Sequence, residues 1–202
     1  HLLLSTVNAF MSPRVEKHVK KLDSMIKDLD AKAHSMLIAE TDLDEVSDNA
    51  DALMVELSDE KRERVLLIRK AIEELKDLKW RYKEGPSGRG RANLGFTNST
   101  GCSSVWGSSY PYNPYPFPWV NHLFQDAPSV AVGIFEGHMR KMADGFISVR
   151  RAEKLLSDSY DAKADEEFFD EFEWEQFTED EFTLCPPLFA VGGDGAMMDI
   201  GF

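Results

Sequence analysis

Residues 184–202 read LCPPLFAVGGDGAMMDIGF, and this stretch carries the strongest indication of the fold. The apolar run from Leu184 to Val191 predicts a buried strand, and Gly192 to Gly195 predict a tight turn that opens toward a helix. Small residues in such a turn let backbone N–H groups approach a phosphate, and a carboxylate there can hold the divalent cation that neutralises it. An ordinary Gly-Asp-Gly turn accounts for the same residues equally well.

Composition limits the classes of protein that the chain can represent. Its 202 residues carry a formal net charge of −13, and residues 161–182 hold eleven Asp or Glu residues against one Lys. So acidic a surface argues against binding to nucleic acid. No run approaches the roughly 18 apolar residues of a membrane span and no segment resembles a signal peptide, so we expect a cytoplasmic protein with no membrane partner.

The two cysteines, Cys102 and Cys185, are too few for a disulfide framework. In a reducing compartment they would be free or metal-bound thiols. A single disulfide bond between them is the alternative. The chain begins at His1 without a Met and ends on the apolar residues 200–202. We therefore expect a fragment of a longer chain.

Helical periodicity dominates residues 1–91. Residues 1–11 predict a short helix that ends at Ser12-Pro13, where Ser12 can cap a second helix. A third helix begins after Ser58 and ends at Gly85-Pro86. Apolar residues recur in the two longer helices at spacings of three, four or seven, namely Val15, Val19, Leu22, Ile26, Leu29 and Ala33, then Val65, Ile68, Ile72 and Leu75. The pair predicts an antiparallel helical hairpin.

A basic, glycine-rich linker at residues 81–91 follows the hairpin. Arg89 and Arg91 offer contacts to a phosphate, but a solvated hinge is the better interpretation because nothing nearby has nucleic-acid character. After the linker, residues 92–97 predict a strand and residues 98–104 a polar turn. Together with a later helix, they favour an α/β layer.

Four prolines interrupt the aromatic residues 110–119, so this segment predicts a stiff loop and not a helix or a central strand. Such a loop either packs as an ordered wall on its own domain, which is favoured, or docks as a polyproline ligand. Residues 119–126 and 128–157 predict helices. Four histidines lack metal-ligand spacing and are interpreted as surface or cap residues, namely His18, His34, His122 and His138.

The acidic segment, residues 161–182, interleaves aromatic side chains with carboxylates. Two interpretations stay open: a surface helix that docks its aromatic side on the protein, and an exposed segment that folds against a basic partner. A metal site is disfavoured there because the spacing of the carboxylates is diffuse and His is absent.

Three motifs in a fixed order make a resemblance to a known family specific. They are TNSTGCSSVWG at 97–107, PWVNHLFQD at 118–126, and GGDG at 192–195 with DIG at 199–201. In this order they resemble the thiamine-diphosphate domain of the pyruvate:ferredoxin (flavodoxin) oxidoreductases, a family of 2-oxo acid:acceptor oxidoreductases. The resemblance covers residues 92–202, and less closely residues 1–11.

The resemblance implies an α/β fold with a parallel sheet. Residues 92–202 would be an incomplete thiamine-diphosphate-binding domain, truncated at its C-terminal end. Residues 1–12 would be the first helix of that domain, cut from the cysteine motif that precedes it in the family. Residues 13–91 would be an insertion, made of the antiparallel helical hairpin and its basic linker.

The resemblance also implies which residues hold the cofactor. The family's Gly-Asp-Gly aspartate binds the Mg²⁺ that bridges the cofactor diphosphate, and it corresponds to Asp194. Backbone contacts to the diphosphate would come from Gly193, Gly195 and Ala196. Ser103 and Asn121, in the other two motifs, are further implied cofactor contacts. Catalytic acid and base groups are not identified by these motifs.

Electron transfer is implied by Cys102. In the family, the cysteine of the Gly-Cys-Ser-Ser motif ligates an iron-sulfur cluster (4Fe-4S), and Cys102 holds that position. Its alternative interpretation is a small buried cysteine. The implied activity is oxidative decarboxylation of pyruvate or another 2-oxo acid, with electrons passing to ferredoxin or flavodoxin and the acyl group to coenzyme A.

The implied parent protein is a homo-oligomer, and this chain alone is expected to be inactive. A rival hypothesis is a non-catalytic scaffold or interaction module derived from an enzyme. It would use the helical hairpin and the acidic segment as surfaces for partners.

Overall fold

The computed structural model describes residues 2–38, 58–99, 101, 103, 115, 117–122 and 127–193. These residues form helices α1 (Leu2–Ile38), α2 (Asp59–Lys83), α3 (Ala127–Leu156), α4 (Ala162–Asp170) and α5 (Glu179–Phe182), and strands β1 (Gly95–Ser99), β2 (Trp119–His122) and β3 (Leu188–Val191). A short 3₁₀ helix spans Trp174–Gln176. The combination of helices with a parallel sheet agrees with the predicted α/β class.

Two compact units divide the chain. The sheet unit comprises His1–Glu16, Glu84–Asp144 and Glu173–Phe202, and the helical unit comprises Lys17–Lys83 and Gly145–Phe172. Helices α1 and α3 each contribute residues to both units. Within the part of the chain that the structure describes, no helix is long and apolar enough to cross a membrane.

The sheet has the strand order β2-β1-β3, and all three strands are parallel. Phe96 on the central strand lies opposite Trp119 on one side and Phe189 on the other. Its ring stacks on both, with centroid separations of 5.0 and 5.1 Å. This row of rings determines the register, because a shift of one residue would move the aromatic residues of that strand to the opposite face.

Tyr115 and Phe117 belong to the proline-rich aromatic loop predicted at residues 110–119. Tyr115 stacks on Phe117 and on Trp119, with centroid separations of 5.2 and 4.8 Å. Phe117 is buried against Leu94 and Phe96. These rings form an ordered wall on the sheet unit, as the favoured interpretation predicted.

Polar side chains hold the other face of β1 to α3. The hydroxyl of Thr97 donates to the carbonyl oxygen of Ala127 at 3.1 Å, and the hydroxyl oxygen of Ser99 accepts from the backbone N–H of Ala127 at 3.2 Å. All three residues are fully buried. Ser99 therefore satisfies one of the backbone donors that an α-helix leaves unpaired in its first turn.

Within the helical unit, contacts between α1 and α2 run in antiparallel order. An ion pair joins Asp23 to Lys79, whereas Leu37, near the end of α1, packs with Val65, near the start of α2. The stripes predicted from spacing supply several of the most deeply buried apolar side chains of this unit, namely Leu22, Leu29, Ile68 and Leu75.

Helix α1 continues through Pro13, so the predicted break at Ser12-Pro13 is wrong. A proline inside a helix removes one backbone hydrogen bond and costs about 3 kcal/mol. The apolar stripe nevertheless crosses this point without a change of spacing, through Met11, Val15 and Val19, all buried or half-buried. Burial of this continuous stripe offsets the local cost.

Residues 119–122 form a strand, so the helix predicted at 119–126 is wrong over its described part. Trp119 to His122 pair in register with Phe96 to Ser99. A short apolar run is compatible with either period, and its pairing with a distant strand decides the outcome. The helix predicted at 128–157 is confirmed as α3.

The described acidic segment packs on the protein. The carboxylate of Asp161 caps α4 by accepting hydrogen bonds from two backbone N–H groups. Phe169 and Phe172 are buried, and the ring of Trp174 meets Phe135 edge-on at 5.7 Å. These contacts support the docked interpretation of the segment, most of whose carboxylates are exposed, whereas Asp165 is buried.

Candidate functional site

The carboxyl ends of the three parallel strands meet at one edge of the sheet, here called the carboxyl edge. Strand β1 leads into Gly101 and Ser103, β2 carries Asn121, and β3 leads into Gly192 and Gly193. In open α/β sheets, ligands bind outside the carboxyl ends of the strands. The described parts of the three motif segments therefore converge on the edge at which this kind of fold binds ligands.

Asn98 and Asn121 join β1 to β2 close to the carboxyl edge. They lie opposite each other in the strand register, and Asn98 Nδ2 donates to Asn121 Oδ1 at 2.8 Å. The same oxygen accepts from Trp119 Nε1 at 3.2 Å. Asn98 is fully buried. This fixed pair of amides holds the two strand ends together beneath the edge.

Helix α3 begins at the same edge. Its first residue, Ala127, is bonded to Ser99, the last residue of β1, and its first turn contains no Asp or Glu. The first backbone N–H groups of a helix lack partners within the helix and carry a partial positive charge. A helix N-terminus at the carboxyl ends of parallel strands is suited to a phosphate group.

Glycines leave space around the turns at this edge. Within the described part of the chain, a Cβ atom at Gly101 or Gly193 would meet no atom within 4 Å. Gly101 has a φ of +149°, which residues with side chains rarely adopt. Both glycines are exposed, so a ligand can approach their backbone closely.

The structure describes three of the predicted cofactor contacts. Gly193 lies at the carboxyl edge after β3. Ser103 is buried, and its hydroxyl donates to the carbonyl oxygen of Ser99 at 3.0 Å. Asn121 accepts two hydrogen bonds within the sheet. Asp194, Gly195, Ala196 and Cys102 lie outside the described residues, and their assignments stay predictions.

Asn98 and Ser99 are structural parts of the site that the sequence analysis placed incorrectly, whereas Thr97 lies in the strand as predicted. It assigned the strand to residues 92–97 and a polar turn to 98–104, whereas the strand is Gly95–Ser99. Polar residues are typical of turns, but here all three are buried in the sheet. The sequence does contain a signal for this longer strand. The hydroxyl residues Thr97 and Ser99 alternate with the amide Asn98, and alternate residues of a strand point to opposite faces.

Arg91 belongs to the sheet unit, so the solvated-hinge interpretation is wrong for this residue. Its guanidinium donates to the carbonyl oxygen of Leu184 at 2.6 Å and contacts the sulfur of Met142. Cys185, the next residue after Leu184, is a free thiol. Burial raises the pKa of Cys185 to about 11, so the thiol is protonated at neutral pH.

Two histidines also differ from the surface interpretation. His18 is buried against the rings of Tyr82 and Phe146. His138 is half-buried, and its Nε2 atom is buried without a hydrogen-bond partner among the described residues. In that same part of the chain, no three His, Cys, Asp or Glu residues are grouped so as to hold a metal ion.

His138 should make the protein less stable in mild acid. Burial first, and the charge of Arg91 second, lower the pKa of His138 from 6.5 to about 4. Between about pH 6.5 and pH 4, His138 is therefore protonated in the unfolded chain but not in the folded chain. The free energy of unfolding falls as the pH falls through this range. After a discount for partial exposure, we expect about 1 kcal/mol of extra loss between pH 7 and pH 5.

Urea unfolding at pH 7 and pH 5 measures this effect. The His138→Gln variant should show a smaller loss of unfolding free energy than the wild type between the two pH values. The exposed His34 provides the control, since His34→Gln should retain the wild-type loss. An unchanged loss in His138→Gln would contradict the prediction.

Comparison with known proteins relates parts of the chain to enzymes. No protein-family model matches it, and no solved structure matches it significantly. It is 39% identical over 51 residues to a pyruvate dehydrogenase [NADP(+)] of Cryptosporidium parvum, covering 22% of this chain and 3% of that protein. It is 28% identical over 104 residues to pyruvate synthase subunit PorB of Methanosarcina barkeri (strain Fusaro / DSM 804), covering 52% of this chain and 22% of that subunit. These weak and partial similarities suggest a relationship to the 2-oxo acid oxidoreductases.

Proposed function

We propose that the chain is part of an oxidoreductase that decarboxylates pyruvate or another 2-oxo acid, and that residues 92–202 belong to its thiamine-diphosphate-binding domain. The supporting observation is the convergence of the described parts of the three motif segments on the carboxyl edge, where α3 also begins. The partial similarity to two proteins named for pyruvate agrees with it. Thiamine diphosphate supplies the chemistry by which a 2-oxo acid loses its carboxyl group as CO₂.

The residues present fit the diphosphate of this cofactor. The first turn of α3 itself contains no Asp or Glu, and Ser129 and Val130 contribute its backbone N–H groups beyond Ala127, which is bonded to Ser99, and Pro128, which has none. The backbone of Gly193 is open to close approach, and Asp194 follows it directly in the sequence. In this proposal, Asp194 holds Mg²⁺ against the diphosphate, while Gly195 and Ala196 add backbone contacts.

Three further residues have proposed roles around the cofactor. Ser103, which follows β1, and Asn121, within β2, position the ends of these two strands. Cys102 provides one thiolate of a 4Fe-4S cluster, which takes four. The chain contains two cysteines, so such a cluster needs ligands from other chain segments.

The remaining parts of the proposal concern the whole enzyme. Electrons pass from the cluster to ferredoxin or flavodoxin, and coenzyme A takes the acyl group. Residues 13–91, which include most of α1 and all of α2, are an insertion of this lineage. The enzyme is a homo-oligomer.

Replacement of Asp194 by Asn tests the cofactor assignment. Thiamine diphosphate should quench the tryptophan fluorescence of the 202-residue chain in Mg²⁺ and not in EDTA. We expect Asp194→Asn to weaken this binding by at least about tenfold, which corresponds to about 1.4 kcal/mol. The reason is that a neutral amide holds Mg²⁺ much less strongly than a carboxylate.

Asp180→Asn is the matched control because it removes the same charge from an exposed position on α5. It should leave the affinity for thiamine diphosphate within about twofold of the wild type, a difference of about 0.4 kcal/mol. Equal losses in the two variants would contradict the role of Asp194. Absence of Mg²⁺-dependent binding in the wild type would overturn the cofactor proposal and favour the non-catalytic scaffold.

A further inference from the structure

A cavity lies at the edge of the sheet opposite to the carboxyl edge. Ala92 to Leu94, which precede β1, and Pro118, which precedes β2, line it, so it opens at the amino ends of the parallel strands. Its volume is about 630 Å³, within the range of cavities that hold small ligands. The sheet separates this cavity from the carboxyl edge.

The charge of the cavity lining is opposite to that of the chain. The protein carries a net charge of −13, yet the described residues that line the cavity include Arg89 and Arg91 and no Asp or Glu. Arg91 is engaged with the carbonyl oxygen of Leu184, whereas Arg89 is exposed. A cationic cavity in an acidic protein favours an anionic ligand.

A turn with unusual backbone conformation presents Arg89. Gly88 and Gly90, on either side of it, have φ values of +68° and +71°. The backbone N–H of Gly90 donates to the carbonyl oxygen of Glu84 at 2.7 Å, which closes the turn. Glycine adopts this left-handed conformation without steric cost, so the turn holds Arg89 at the cavity mouth.

The cavity also has an aromatic wall. Tyr115 and Phe117 line it, and their rings stack at a centroid separation of 5.2 Å with an angle of 19° between planes. Because Tyr115 also stacks on Trp119, the wall is rigid. A flat aromatic ligand can pack against such a wall.

Helix α1 contributes a polar side to the same cavity. Asn8 lines it, and Asn8 Oδ1 accepts from Asn93 Nδ2 at 2.8 Å. Asn93 Nδ2 also donates to the hydroxyl of Ser12 at 3.1 Å. These bonds orient the Asn8 amide, whose N–H groups are donors suited to an oxygen-rich anion.

We propose that this amino-edge cavity binds a nucleoside phosphate, with its base against the Tyr115 and Phe117 wall and its phosphates at Arg89 and Asn8. The cavity binds without a divalent cation, since no carboxylate among the described lining residues could hold one. This property distinguishes it from the Mg²⁺-dependent site proposed at the carboxyl edge.

Calorimetric titration of the 202-residue chain with ADP in EDTA tests the proposal. We expect saturable binding of one ADP per chain, with pyrophosphate binding at least about tenfold more weakly because it lacks a ring, which is a difference of about 1.4 kcal/mol. Arg89→Gln should weaken ADP binding by about tenfold, equivalent to the same free energy. Arg140→Gln, an equal charge change at an exposed site on α3 outside the cavity, should not.

A second pair of variants separates a binding defect from a folding defect. Asn8→Asp keeps the oxygen that accepts from Asn93 and adds a negative charge to the cavity, so it should also weaken ADP binding about tenfold, or about 1.4 kcal/mol. Ala9→Asp adds the same charge to the neighbouring exposed position of α1, which does not line the cavity, and should have little effect.

Three results would overturn the proposal. The first is no saturable binding of ADP in EDTA. The second is equal affinity for ADP and pyrophosphate, which would remove the role of the aromatic wall. The third is equal weakening by the cavity variants and their controls. Binding of thiamine diphosphate in Mg²⁺ should be the same in Asn8→Asp as in the wild type, so the two proposed sites can fail independently.

Discussion

Replacing Asn98 by Asp is expected to lower the free energy of unfolding by about 3 kcal/mol, among the largest single effects in the sheet unit. Asn98 is fully buried and donates to Asn121 Oδ1. In the variant, a carboxylate oxygen faces that acceptor, so a donor is lost and a charge is buried without a counter-ion. Urea unfolding followed by tryptophan fluorescence would measure the change.

The same change at the other residue of the pair, Asn121→Asp, is the control. Asn121 Oδ1 is the acceptor of two hydrogen bonds, from Asn98 Nδ2 and Trp119 Nε1. Asn121→Asp retains an acceptor at that position and should cost less than about half as much as Asn98→Asp. Equal losses in the two variants would show that the direction of this hydrogen bond does not matter. Because the pair holds two strands at the carboxyl edge, Asn98→Asp should also weaken the proposed binding of thiamine diphosphate.

Replacing Arg151 by Ala is expected to cost about 3 kcal/mol in the helical unit, because it leaves partly buried carboxylates without their partner. The guanidinium on α3 makes a two-pronged bond to Glu166 on α4, with both distances 2.8 Å, and a bond of 3.0 Å to Glu74 on α2. The Arg151 side chain is only 14% exposed. One residue therefore ties three helices of this unit together.

The loss caused by Arg151→Ala should depend on pH. The hydrogen bond from Arg151 lowers the pKa of Glu166 below its usual 4.5. Glu166 therefore contributes stability above the carboxyl pKa of the unfolded chain, and this contribution is lost as the pH falls through the lower folded pKa. The difference between wild type and variant should shrink in strong acid.

Two further variants test whether the loss of stability is specific to the contacts of Arg151. Arg151→Lys keeps the charge but cannot make the two-pronged bond, so it should fall between the wild type and Arg151→Ala. Arg140→Ala removes an exposed arginine from the same helix and should change stability by less than about 0.5 kcal/mol. A loss of similar size in Arg140→Ala would contradict a specific role of the Arg151 contacts.

The long helices could be predicted because their information is local. Leu22, Leu29, Ile68 and Leu75 recur at helical spacing, and all four are core residues. The helix predicted at 128–157 is observed at Ala127–Leu156. Spacing of this kind decides which face of a helix is buried before any partner is known.

Predictions that needed a distant partner were less successful. Trp119 to His122 form a strand because they pair with Phe96 to Ser99. Ser99 is buried because it bonds Ala127, 28 positions away. His18 is buried because the rings of Tyr82 and Phe146 cover it. In each case the deciding contact joins residues that are far apart in the sequence.

By itself, the sequence determined the amphipathic helices, the final apolar strand and the order of three motifs that resemble one family of cofactor domains. Only the tertiary structure brought the described motif segments Thr97 to Ser99, Trp119 to His122 and Val191 to Gly193 to one edge of a sheet, and carried α1 through Pro13. The physical reason is that periodicity records which side of an element is buried, whereas strand pairing and the burial of polar groups depend on contacts between segments distant in the chain.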